Sequence, residues 1–229
     1  GSDFVPVPGY ENHGIAPSWR GAALYANWLH HGQTSDPEKL LIGAYDATTF
    51  GQDANGTPTD QYEKLPGARF WIPSQDEYIK AAYYDPNRYG DGEGGYWTYP
   101  DASDTPLLPG LPEEGGETNA FNWGFNNYDL PIGSYADVRS AYGLLDASGM
   151  LHEWTSTEAA TGRRLLGTSS VGGTDYILTL VNDQVGFAIT QTATPGSSAG
   201  GFRMATLIPT PASIVALGFL PLVICVRRR

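Results

Sequence analysis

"PIGSYADVRSAYGLLDASGMLHEWTS" occupies residues 131–156. Two carboxylates, Asp146 and Glu153, sit in its short apolar second half, with Gly149 between them and Trp154 closing the run. The pair can be read as a reaction centre, as a metal site, or as an Asx-turn at Asp146 with Glu153 bonded to backbone. Which reading holds depends on what surrounds the stretch.

The chain has 229 residues, of which 41% are hydrophobic and 12% aromatic, enough for one sizeable core and more consistent with one large domain than two. Its 29 glycines and 17 prolines predict a loop-rich fold, pinned by 6 tryptophans and 14 tyrosines. A formal net charge of −12 argues against nucleic acid as a partner, because phosphate binding needs a basic face. The single cysteine, Cys225, permits no intrachain disulfide and no zinc site built from several cysteines. No Gly-x-Ser-x-Gly elbow or His-Glu-x-x-His motif is present. Of the four histidines, His30 and His31 are neighbours on a predicted helix and project about 100° apart, which prevents a shared ligand face. His13 lies in a turn-rich segment, and His152 points to solvent or a groove.

Two helices are predicted. "SWRGAALYANWLHHG" (18–32) has Ser18 as N-cap and Gly32 just past its end, with Trp19, Ala22, Ala23, Ala26 and Leu29 on one face. "PSQDEYIKAAYYDP" (73–86) opens with a Ser74–Glu77 capping box and is stopped by Pro86, with Tyr78, Ala81 and Ala82 inward. "RFWI", "YWTY", "LPIGSY", "RRLLG", "DYILTLV", "VGFAIT" and "GFRMA" read as short strands between turns. Residues 91–117 form a long loop region. Helices followed by scattered strands give an α+β class.

These pieces, in this order, resemble the formylglycine-generating enzyme or sulfatase-modifying factor domain family. The resemblance is carried by "AALYANWLHHGQ" (22–33), "FWIPSQDEYIKAAYYDP" (70–86), the opening stretch, "RRLLG" (163–167) and "GFRMA" (201–205). It implies a C-type-lectin-like α+β fold with much irregular structure, over a domain at 1–206 whose N-terminal part is missing. It also implies calcium at the opening stretch, held by the side chains of Asp146 and Glu153 and the backbone carbonyls at Gly149 and Leu151. The chemistry is sensible, since calcium takes six to eight oxygens at about 2.3–2.6 Å, and Gly149 permits the positive φ that turns carbonyls inward. A second family site would fall near Asn122, Asn126 and Asp129, but the spacing is short and Asn126 replaces an expected Asp. The family's oxidases bind copper(I) and substrate through two cysteines after the Arg-Gly-Gly-Ser landmark. Here that landmark reads "LGTSS" (166–170), and the aligned positions fall near Gly173 and Leu178, so no copper is expected.

The end of the chain resembles a PEP-CTERM sorting signal: Pro209-Thr210-Pro211, an apolar run from Ala212 to Val226 broken by Pro221, then Arg227, Arg228 and Arg229. The run is just short of the roughly 17–25 residues of a stable spanning helix, and its arginines would stay cytoplasmic. The resemblance implies export, a membrane anchor at 207–229, and processing by a membrane sorting protease. "GSDFVPVPGY" lacks the features of a signal peptide, so an upstream one is expected.

The functional expectation is an exported, non-catalytic domain with a binding or structural role at the cell envelope. Trp97, Tyr99, Trp123 and Tyr128 could form a platform for a polysaccharide or surface-protein ligand, or simply pack a loop-rich core. An enzyme of the same family working through a different site is the alternative. A pocket of converging His, Asp or Glu would favour the enzyme, and a flat aromatic surface the binder.

Overall fold

The computed structural model describes residues 8–9, 11–120, 130–149, 151–159, 162–166, 189–191 and 200–207. The expected C-terminal hydrophobic helix lies outside them, as do "DYILTLV" and residues 122, 126 and 129 of the second calcium reading. Among the described residues no helix is long and apolar enough to cross a membrane.

Helix α1 (Trp19–His30) starts where Ser18 Oγ accepts from Gly21 N. It ends at Gly32, whose φ of +70° lets its own N–H and that of Gln33 return to Leu29 and Trp28. The helix buries Trp19, Ala22, Ala23 and Ala26 as expected, and Asn27 in addition; Leu29 is half-buried. Small side chains on this face let Trp19 reach a core of Tyr45, Trp71, Ile72 and Trp154. Asn27 is buried at no cost in lost hydrogen bonds, because it donates to the carbonyls of Leu40 and Tyr45 and accepts from Tyr45 N.

Strand β1 (Phe70–Trp71) leads into helix α2 (Gln75–Tyr83) through the expected capping box. Glu77 also accepts from Trp71 Nε1 at 3.0 Å and pairs with Lys64 at 3.2 Å. Inward residues are Tyr78, Ala82 and Tyr83, with Ala81 only half-buried. The helix gives way at Tyr84 to a two-residue hairpin partner, β2 (Tyr84–Asp85) with β3 (Gly95–Tyr96), before Pro86 is reached.

A four-stranded sheet follows in the order β6-β5-β4-β7, where β4 is His152–Ala159, β5 Gly162–Leu166, β6 Ile189–Gln191 and β7 Gly200–Gly201. "GFRMA" is not one strand. It leaves β7, crosses over, and enters β8 (Ala205–Thr206), which pairs antiparallel with β1. "LPIGSY" (130–135) forms turns rather than a strand, with Ser134 Oγ donating to Pro131 O. β4 holds the core to α1 by a reciprocal exchange. Trp19 Nε1 donates to Thr155 O at 3.1 Å, and Trp154 Nε1 donates to Pro17 O at 2.9 Å.

Candidate functional site

The opening stretch bends back on itself before β4. Asp146 takes φ +55° and Gly149 φ +76°, both in the left-handed region. A Cβ at Gly149 would lie 2.2 Å from Asn119 Oδ1, so glycine is required there by space as well as by conformation. The neighbouring Ser148 Oγ shares a 2.8 Å hydrogen bond with Thr118 Oγ1. Asp146 Oδ2 accepts from Gly133 N at 2.7 Å, which ties the "PIGS" turn to the bend.

Arg203, two residues beyond β7, folds back onto this bend. β7 runs parallel to β4 with Glu153 opposite Gly201, so the "GFR" segment leaves the sheet beside Glu153. Arg203 Nε and Nη2 form a fork with the two carboxylate oxygens of Glu153, each at 2.5 Å. Nη2 also donates to Asp146 O at 3.1 Å, and Nη1 to Leu145 O at 3.3 Å. The Tyr78 ring lies 5.6 Å from the guanidinium carbon. Burial works against the charge on Arg203, but the Glu153 carboxylate more than offsets it and holds the group above its ordinary value. Nearby, burial first and then Glu113 and Asp146 push the Tyr135 hydroxyl up, so it stays a donor, to Gly110 O at 2.9 Å.

Asp146, Leu151 and Glu153 line one pocket of about 460 Å³ together with Arg203, His13 and an apolar wall. Gly149 is not among its lining residues and packs on Asn119. The sequence reading thus brings the two carboxylates to one place, but missed Arg203, which only the length of the family's closing motif marks. Among the described residues no three His, Cys, Asp or Glu side chains are placed to hold a metal ion. Any calcium shell here would combine these carboxylates with carbonyls and water, and would have to share Glu153 with Arg203.

Of the two readings of the aromatic residues, core packing is the one Tyr99 follows: it is only 4% exposed and belongs to the interior, and its N–H closes onto Ser103 O. Trp97 is half-buried, covered by the Arg88 guanidinium 4.4 Å away, with Nε1 donating to Asp85. Trp123 and Tyr128 lie outside the described residues. The His30 and His31 rings meet edge to face, with centroids 4.9 Å apart and planes 82° apart, His31 capping the helix rather than standing in it. Each has a backbone role: His30 Nδ1 accepts from Arg69 N, and His31 Nε2 meets Ile42 O.

A loop-rich α+β domain whose last segment returns to brace a Glu-Trp strand is the class that fold and site define. The chain belongs to the sulfatase-modifying factor enzyme 1-like domain family, whose model matches residues 15–208. Among solved structures it resembles CarF, at 18% identity and a TM-score of 0.51, covering 88% of this chain and 72% of that one. That likeness is one of fold. No curated protein matches the chain.

Proposed function

We propose that this chain is a non-catalytic member of its family that binds a ligand at the cell envelope. The observation that carries the reading is the cysteine count: residues 15–208, the whole family match, contain none. The copper(I) chemistry that the family resemblance implies runs through a pair of thiolates, and this region supplies none. The pocket supports binding. By the criterion of converging groups, His13, Asp146 and Glu153 would favour an enzyme. However, Glu153 is already paired in a fork with Arg203, which takes it away from proton transfer, and Asp146 is tied through one oxygen only, to Gly133 N. The test is direct. The purified chain, given copper(I) and a cysteine-containing sulfatase peptide, forms no aldehyde above the copper blank; aldehyde above it overturns the reading.

Export and anchoring belong to the same proposal. The apolar run Ala212–Val226 with its three arginines supports a membrane-held tail cut by a sorting protease, leaving the domain outside to meet a polysaccharide or surface protein. Expressed behind a signal peptide, the domain is reached by external protease; a cytosolic product with an intact tail contradicts this.

Calcium at Asp146, Gly149, Leu151 and Glu153 is the remaining part. A bound ion stabilises only the folded state, by about 2.7 kcal/mol at a hundred times Kd. Melting of the chain rises with calcium and falls with chelator, and Glu153→Gln removes most of that shift. Unchanged melting on chelation returns the acids to turn and ion-pair roles.

A further inference from the structure

We propose that the pocket beside Asp146 takes a small ligand joining an apolar body to one positive charge, and turns anions away. This rests on the binding role argued above and names its ligand class. The body is suited by the walls. Ile15 and Ile132 stand 66% and 62% exposed at the mouth, and the Tyr25 and Phe202 rings meet edge to face with centroids 5.4 Å apart. Large apolar side chains left in water around one concavity mark a place where apolar surface is to be covered. Aromatic faces also favour a cation over an anion.

The charge is decided by the floor. Among the described residues Arg203 is its only guanidinium, and the hydrogen bonds to Glu153, Leu145 O and Asp146 O use four of its five N–H donors. Its charge is matched by Glu153. An incoming carboxylate therefore finds no vacant fork. Asp146 is a second carboxylate on the same floor, and among the described residues it forms no ion pair. Two carboxylates against one guanidinium leave the floor negative, and the whole chain, at −12, adds no field that would draw anions.

Three probes of one shape test this on the full chain: 2-phenylethylamine, 2-phenylethanol and phenylacetate, titrated calorimetrically with chelator present so that no divalent ion competes. The amine binds saturably and more tightly than the alcohol, and the acid does not bind. Asp146→Asn weakens the amine about tenfold and leaves the alcohol unchanged, as expected for loss of one charge contact. Asparagine tolerates the left-handed backbone at this position, so the fold is kept. Ile132→Ser, at the exposed rim, weakens amine and alcohol together. Binding of phenylacetate as tight as the amine, an Asp146→Asn chain with undiminished amine affinity, or no saturable binding of any probe overturns the proposal. Aldehyde formation in the copper assay would sink the non-catalytic reading and leave this charge selectivity intact, so the two failures are distinguishable.

Discussion

Glu153 and Trp154 are neighbours on β4, yet they anchor two regions built on opposite principles. Trp154 enters a core where Trp19, Tyr45 and Ile72 are wholly buried and the indole N–H groups of Trp19 and Trp154 are spent on backbone carbonyls. Glu153 enters a pocket where a carboxylate, a guanidinium and backbone carbonyls meet at the edge of solvent. The first region gains from removing apolar surface from water, which needs no special geometry beyond fit. The second must recover the cost of desolvating charges, and does so only while every donor is matched. One strand can serve both because successive side chains leave it on opposite faces.

The comparison predicts a ranked set of losses. Trp19→Ala should be the most damaging, at about 3–5 kcal/mol, since it opens a large void and strands Thr155 O. Urea unfolding measures it; a loss near 1 kcal/mol would mean that the core is not centred on α1. Arg203→Leu should cost about 3 kcal/mol, because Glu153, only 13% exposed at its side chain, is left charged and unmatched. Joining it with Glu153→Leu should recover much of that loss. If the double variant is as unstable as the single, the pocket is held by packing and the contrast between the two regions collapses.

The smallest effect is one of pH, at the far end of α1. Partial burial, and then the charges of His31 and Arg69, lower the His30 pKa below its ordinary value of about 6.5. The neutral ring also accepts the Arg69 N–H. The unfolded chain therefore binds the proton more readily. Stability is lost as pH falls from about 6.5 through the lower folded value, and the penalty is constant below that. His30→Gln should make the fall in urea midpoint between pH 7 and pH 5 shallower than in the unmodified chain. Equal slopes would remove His30 from the account.

What the sequence made legible is local. Ser18, Gly32 and the Ser74–Glu77 box act within a few residues, so the helices were readable from their ends. The positive φ of Gly149 matched the reading that a glycine here permits it. β4 was missed as a strand because its inward residues, Trp154 and Thr155, are adjacent, and a register shift between Trp154 and Glu158 breaks the alternation that marks a strand. Arg203 was visible only as part of a landmark. Its partner lies fifty positions earlier, and nothing in either local pattern announces the pairing. For Tyr99 the sequence left platform and core packing both open, because an aromatic in a loop gives no sign of which way the loop folds.

The return of the last described segment has a consequence for how the protein comes into being. Phe202, Arg203 and Met204 supply one wall and the floor of the pocket, and β8 closes on β1, where Thr206 faces Phe70 across more than half the chain. A ribosome, or an export channel passing the chain from its first residue, delivers α1, α2 and β4 long before these residues arrive. During that interval Glu153 and the bend at Asp146 stand without their guanidinium, and Tyr25 without the Phe202 ring. The pocket is thus the last part of the described fold to exist, and a nascent chain stalled before residue 200 carries two helices, a core in waiting and no pocket.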